Sequence, residues 1–248
     1  MPINVNELEK RLLEIEGKVR PASSEQSGFR FWKPKETHVV RIVPHTPQFV
    51  ELMFHYDISD DNIPILCPAS FNKPCPVDKL RMKLYKNGTP EDIALAKKLK
   101  GPWRFFAPII VREKNKPDSE VVPTWWTFSK TTYQSIIQLC KNPEYGDISD
   151  TINGTDLDVV FTPAVPPQLY PKTSIAPKRK SSPLVADEVQ AKRIIEAVPD
   201  MMKEVKQLTY EEIEKVLENW VSATSAQVDD QPAAGGSVDD IFKELNDE

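Results

Sequence analysis

The residues best suited to chemistry fall in one stretch, HYDISDDNIPILCPASFNKPCPVD, where His55, Cys67, Cys75 and Asp78 follow one another at intervals of 11, 7 and 2 intervening residues. Two thiols and an imidazole are donors of the kind that hold Zn(II) in a closed tetrahedron, and a carboxylate can supply the oxygen of a fourth position. The last pair, separated by Pro-Val, has the two-residue spacing of a metal-binding turn. One zinc per chain is therefore expected, in a loop over about residues 55–78. His38, His45 and Cys140 are alternatives to Asp78 as the fourth ligand. Without a metal, the two cysteines would be small buried apolar groups and His55 a hydrogen-bonded histidine at a strand end.

A second chemical pattern interleaves aromatic and basic residues. It runs through KKLKGPWRFF (97–106) and TWWTFSKTTY (124–133), with Phe31 and Trp32 close to Lys33 and Lys35. Aromatic faces stack on unpaired bases for about 1–3 kcal/mol each, and lysines and arginines along the same groove neutralise phosphates, which suits single-stranded nucleic acid read without sequence preference. The competing use of these aromatics is a protein core. Side chains alternate between the faces of a strand, so Trp125 and Trp126 should point to opposite sides and one of them should reach the surface.

Little in the sequence suits catalysis. There is no glycine-rich phosphate loop and no nucleophile elbow, and three histidines give no triad or HExxH pair. The expectation is a protein that is not an enzyme.

The net charge of −5 conceals a segregation along the chain. Residues 17–180 carry 24 basic against 17 acidic side chains, a net +7, whereas residues 222–248 carry one against seven. A cationic middle between acidic ends suits capture of a polyanion by a chain that also carries its own competitor. Three cysteines are an odd number at irregular spacing, which argues against a disulfide scaffold and for a reducing compartment. No apolar run approaches the length of a membrane span, and the N-terminus lacks the pattern of a signal peptide, so neither a membrane partner nor export is expected.

The elements that must position these groups are short. Val5, Leu8, Leu12 and Ile15 give one amphipathic helix in an N-terminal arm (1–20), followed by the polar stretch PASSEQSG. From Phe29 to about Phe161 the runs HVVRIV, FVELMF, WRFFAPIIV, VVPTWWTF and DLDVVF read as strands, bounded by Pro, Asn, Asp or Gly. Two helices interrupt them, TPEDIALAKKLK with Thr89 as its cap and KTTYQSIIQLCK. Residues 163–184 are proline-rich, carry the cluster Lys178-Arg179-Lys180, and should run extended along the core. Thr209 and Glu212 form a capping box ahead of Ile213, Val216, Leu217 and Trp220, so the core should span residues 21–221. Residues 222–248 read as a flexible linker and an acidic segment with an apolar stripe at Val238, Ile241, Phe242 and Leu245, able to fold on a partner. The expected class is mainly β with added helices, α+β, around a small barrel or sandwich.

Taken in order, the motifs VRIVP, the His/Cys loop ending CPVD, FFAPIIVRE, WWTFSKTTYQSI, NGTDLDVVF, TYEEIEKVLENW and the acidic end resemble the helix-destabilising single-stranded DNA-binding proteins of T-even-like phages, the products of gene thirty-two. The resemblance spans nearly the whole chain. It implies an OB-fold core with a zinc subdomain and a DNA cleft between them, at which Lys98, Lys100, Trp103, Arg104, Phe105, Phe106, Trp125, Trp126, Phe128, Lys130 and Tyr133 are the matching residues. It also implies cooperative coating of DNA through contacts of the N-terminal arm with a neighbouring copy. Phage replication and recombination proteins would be recruited by the acidic tail, in the cytoplasm of an infected bacterium. The chain departs from the family at Asp78, where a cysteine is usual. Its N-terminal arm also lacks a dense basic cluster, holding only Lys10, Arg11, Lys18 and Arg20.

Overall fold

Runs rich in β-branched and aromatic residues form seven strands: β1 (His38–Ile42), β2 (Val50–His55), β3 (Ile65–Leu66), β4 (Trp103–Arg112), β5 (Thr124–Phe128), β6 (Leu157–Thr162) and β7 (Lys172–Pro177). The computed structural model describes residues 31–59, 63–113 and 117–225. The expected arm helix and the acidic tail lie outside these residues. Every pairing between the strands is antiparallel, in the order β3-β2-β4-β1-β6-β7 with β5 on β4. The long β4 organises the sheet, since Trp103–Phe106 pair with β2, Ile109–Arg112 with β1, and Phe105–Ile109 with β5.

Six helices accompany the strands among the described residues: α1 (Pro76–Asn87), α2 (Pro90–Lys98), α3 (Lys130–Lys141), α4 (Glu188–Glu196), α5 (Met201–Glu204) and α6 (Tyr210–Ser225). The architecture is mixed α+β. Local chemistry sets the helix starts: the Thr89 side chain accepts from the Asp92 N–H at 3.1 Å, and Ser129 accepts from Thr132 at 3.5 Å. The Thr209–Glu212 capping box is reciprocal, each side chain taking the other's backbone N–H, at 2.8 and 3.2 Å.

Both faces of the sheet are covered, which explains why β4 reads as a nearly unbroken apolar run. On one face Phe105, Ala107 and Ile109 pack with Val40, Ile42, Trp126, Phe128 and Ile136 of α3. On the other, Phe106 and Trp125 pack with Leu52, Phe54, Met201 and Val205, while Ile110 packs with Val43, Leu184, Val185 and Ile194. The expectation that Trp125 or Trp126 reaches the surface is therefore corrected: the indoles do point to opposite faces, but both are 0% exposed. The segment around α5 covers the second face, and Trp125 Nε1–H donates to the Pro199 carbonyl at 2.8 Å. At 150–250 Å² of area each, two such indoles contribute at most about 4–6 kcal/mol apiece.

A separate core lies beyond β3. There Val77, Leu80 and Leu84 of α1, Leu95 and Ala96 of α2, and Ile213, Leu217 and Val221 of α6 enclose Ile65, Cys67 and Cys75. α1 was not foreseen, because CPVD reads as the end of a metal loop. Pro76 occupies its first turn, three of its apolar residues are buried, and Gly88 at φ 77° ends it.

Of the proline-rich stretch expected to run extended, Lys172–Pro177 do so as β7, an edge strand paired along the length of β6, while the residues before it fold into a turn closed by the Gln168 N–H on the Val165 carbonyl. After β7 the chain is clasped to the sheet by two arginines. Arg41, 0% exposed, donates from Nε to Asp156 at 2.8 Å and from its terminal nitrogens to the Asp150 carbonyl and to the carbonyl and hydroxyl of Ser182. Arg112 donates to both oxygens of Asp156 and to the carbonyls of Pro183 and Leu184. Burial pushes the Arg41 pKa below its ordinary value, and the Asp156 carboxylate pulls it back. Gly154 admits this approach, since a Cβ there would collide with the Arg41 guanidinium and the Asp150 carbonyl.

Candidate metal centre and nucleic-acid surface

Four separate local structures bring the metal candidates together. His55 ends β2; Cys67 follows β3 and precedes the 3-10 turn Pro68–Phe71; Cys75 caps α1, and Asp78 stands in its first turn. Their donor atoms all lie within 4.8 Å of one another, so His55, Cys67, Cys75 and Asp78 form a group that could hold a metal ion. Cys75 Sγ is 3.4 Å from His55 Nε2, Cys67 Sγ is 3.3 Å from Asp78 Oδ2, and His55 Nε2 is 4.0 Å from the same oxygen. Bond lengths of about 2.0–2.3 Å to a tetrahedral centre put its ligands about 3.3–3.8 Å apart, close to these spacings.

The surroundings suit the same use. His55 Nδ1 lies 3.0 Å from the Leu99 carbonyl, a contact that fixes the ring and turns Nε2 inward, and Arg81 Nε–H donates to Asp78 Oδ1 at 3.1 Å. A hydrogen bond to Cys75, and then burial, push Cys67 well above the thiol range. Cys75 is held below that range, first by the hydrogen bond from Cys67, with burial opposing and His55 assisting. A ready thiolate is the form that ligates metal.

The alternative fourth ligands are placed elsewhere. His45 sets its ring edge against Trp125, His38 stands edge-on to Trp32, and Cys140 is exposed on α3. Arg81, three residues beyond Asp78 on α1, was missed in the sequence, although i,i+3 spacing on a helix was the available signal. If this group holds a metal, Asp78→Ala is expected to lower the zinc retained after incubation with Zn(II) and dialysis, and Asp78→Cys to restore or raise it. Equal zinc in wild type and the alanine variant removes Asp78 from the ligand set.

The candidate DNA-contacting residues divide by burial. Lys98, Lys100, Trp103 and Lys130 are exposed, and Arg104 and Tyr133 are half-buried. Phe105, Phe106, Trp125, Trp126 and Phe128 belong to the cores on the two faces of the sheet and offer no surface for a base. Their assignment as stacking residues is corrected on that ground. Trp103 is 41% exposed at the start of β4, and Arg104 beside it lies over the Tyr56 ring at 5.7 Å while donating to its hydroxyl at 3.2 Å. Tyr56 was missed, though it adjoins His55. The Tyr133 ring stacks on Phe105 at 4.3 Å, and burial, helped by Glu51, pushes its pKa up to about 12.

This surface adjoins the metal centre. Lys98 ends α2, Leu99 supplies the carbonyl beside His55, and the chain passes through Lys100 and Gly101 to Trp103. Gly101 fits there because a Cβ would press on Met53 and the Phe54 carbonyl. No helix among the described residues is long and apolar enough to cross a membrane. No protein-family model and no curated protein matches the chain.

Proposed function

We propose that the chain binds and coats single-stranded DNA without sequence preference, in phage DNA replication, recombination and repair. The stretch from Lys98 to Trp103 carries this reading: an exposed indole preceded by two exposed lysines, next in the chain to a candidate metal centre. Stacking on Trp103 and counterion release by Lys98, Lys100, Arg104 and Lys130 would supply the affinity. On this reading the sheet is an OB-type barrel, the four-residue group holds one Zn(II), and the protein does no chemistry on DNA. The N-terminal arm would join neighbouring copies and the acidic tail would meet replication and recombination proteins, in the infected host's cytoplasm. The ordered resemblance in the sequence supports these roles.

Polythymidylate is expected to quench the tryptophan fluorescence, with affinity falling steeply as salt rises. Trp103→Ala should lose about 1–3 kcal/mol of binding and part of the quench, because Trp125 and Trp126 are fully buried and Trp32 and Trp220 are half-buried. Binding that ignores salt, or none, overturns the proposal. A preference for RNA over DNA of equal length would favour an RNA-binding regulator, and zinc without nucleic-acid affinity a structural interaction protein.

A further inference from the structure

We propose that the segment Lys178–Lys180 is a second phosphate contact for the bound single strand, with the pocket beside it seating an unpaired base; this rests on the DNA-binding reading. The segment is fixed at both ends. The Lys178 N–H donates to the Asp156 carbonyl at 2.8 Å, the Ser182 N–H to Gly154 at 3.0 Å, and the Leu184 N–H to Thr151 at 2.8 Å. The Arg41 and Arg112 clasp holds Ser182, Pro183 and Leu184 immediately beyond it. A basic tripeptide tied down in this way has little conformational entropy left to lose when it binds.

Its charges are available. Arg179 and Lys180 are exposed, and no ion pair to either is formed among the described residues, while Lys178 pairs with Asp158 at 2.7 Å. Three nearby carboxylates hold other partners. Asp147 takes the N–H and hydroxyl of Ser149, Asp150 takes the N–H groups of Ile152 and Asn153, and Asp156 is inside the clasp. The adjoining open pocket, about 650 Å³, has room for a base. Tyr145, Asn153 and Thr155 line it with Lys178 and Arg179, and Glu144, Asp147 and Asp150 line it as well, so the phosphate is placed on the exposed Arg179 and Lys180 and only the base in the pocket.

The placement makes this site separate from the first: Trp103 begins β4 and Arg112, which grips the strap at Pro183 and Leu184, ends it, and the two ends of that strand are about 30 Å apart. An oligomer must be long enough to reach both.

The test compares the full chain with the double variant Arg179→Ala/Lys180→Ala, on oligothymidylates of increasing length at several salt concentrations. The expected result is wild-type affinity on the shortest oligomers that bind. On long ones, the slope of log K against log salt should be shallower by about 1.4, the value for two single-strand phosphates. The charge-preserving pair Arg179→Lys/Lys180→Arg keeps the wild-type slope, and unfolding midpoints agree among all three proteins. A double variant equal to wild type at every length overturns the second contact, as does a loss already present on the shortest oligomer. A wild-type chain that binds no oligomer overturns the DNA-binding reading itself.

Discussion

If the four-residue group holds the proposed metal, Cys75→Ser should reduce the bound metal to near zero and destabilise the helical core around α1, α2 and α6. Cys75 is buried between Cys67 and His55, whose contacts hold it below the ordinary thiol range, so no solvent group can replace it. A metal that binds only the folded chain stabilises it by about 4 kcal/mol at a thousandfold excess over its dissociation constant, and that linkage is lost with the ligand. Metal analysis and thermal unfolding, each with and without chelator, measure the two halves of the effect. Chelation should lower the midpoint of wild type and leave the variant unmoved. An unchanged metal content in Cys75→Ser would exclude the four-residue group as the centre.

Asp156→Ala should cost about 3–5 kcal/mol of unfolding free energy, because it leaves the fully buried Arg41 guanidinium without its carboxylate. Arg112 loses the same partner, at a half-buried position where the penalty is smaller. The replacement Arg41→Met together with Asp156→Leu should cost less than Asp156→Ala alone, since it removes the buried charge as well as its partner. Urea titration of the three proteins decides this. A loss under about 1 kcal/mol for Asp156→Ala would place the pair with ordinary surface ion pairs.

The sequence carried most of the strands and the two helices that begin at Thr89 and Ser129, because those elements announce themselves locally through caps, turn residues and β-branched runs. It also carried the metal group, whose members sit within 24 residues of one another. It failed where a distant partner decides the outcome. The alternation of Trp125 and Trp126 was read correctly, but whether the second face is bare depended on Met201 and Val205, some 75 residues further on. Phe106 and Trp125 became core for that reason, and Phe105, Trp126 and Phe128 because α3 and its Ile136 cover the first face. Arg41 looked like one more cation of the basic middle, and only Asp156 and Ser182, 115 and 141 positions away, turn it into a buried clasp. α1 was legible in principle, with Val77, Leu80 and Leu84 at helical spacing between Pro76 and Gly88, but the metal-loop reading of CPVD hid it.

The core of Ile213, Leu217 and Val221 against α1 has a consequence for how the protein is made. The candidate metal ligands leave the ribosome before the helix that closes over them, which is encoded more than a hundred residues later. During synthesis the cysteines must wait with their apolar neighbours uncovered, and pairings of such long sequence separation form slowly. Metal supplied during translation would find its ligands before their shelter exists. The nascent chain would then depend on the ion, or on a chaperone, until α6 emerges to close the site.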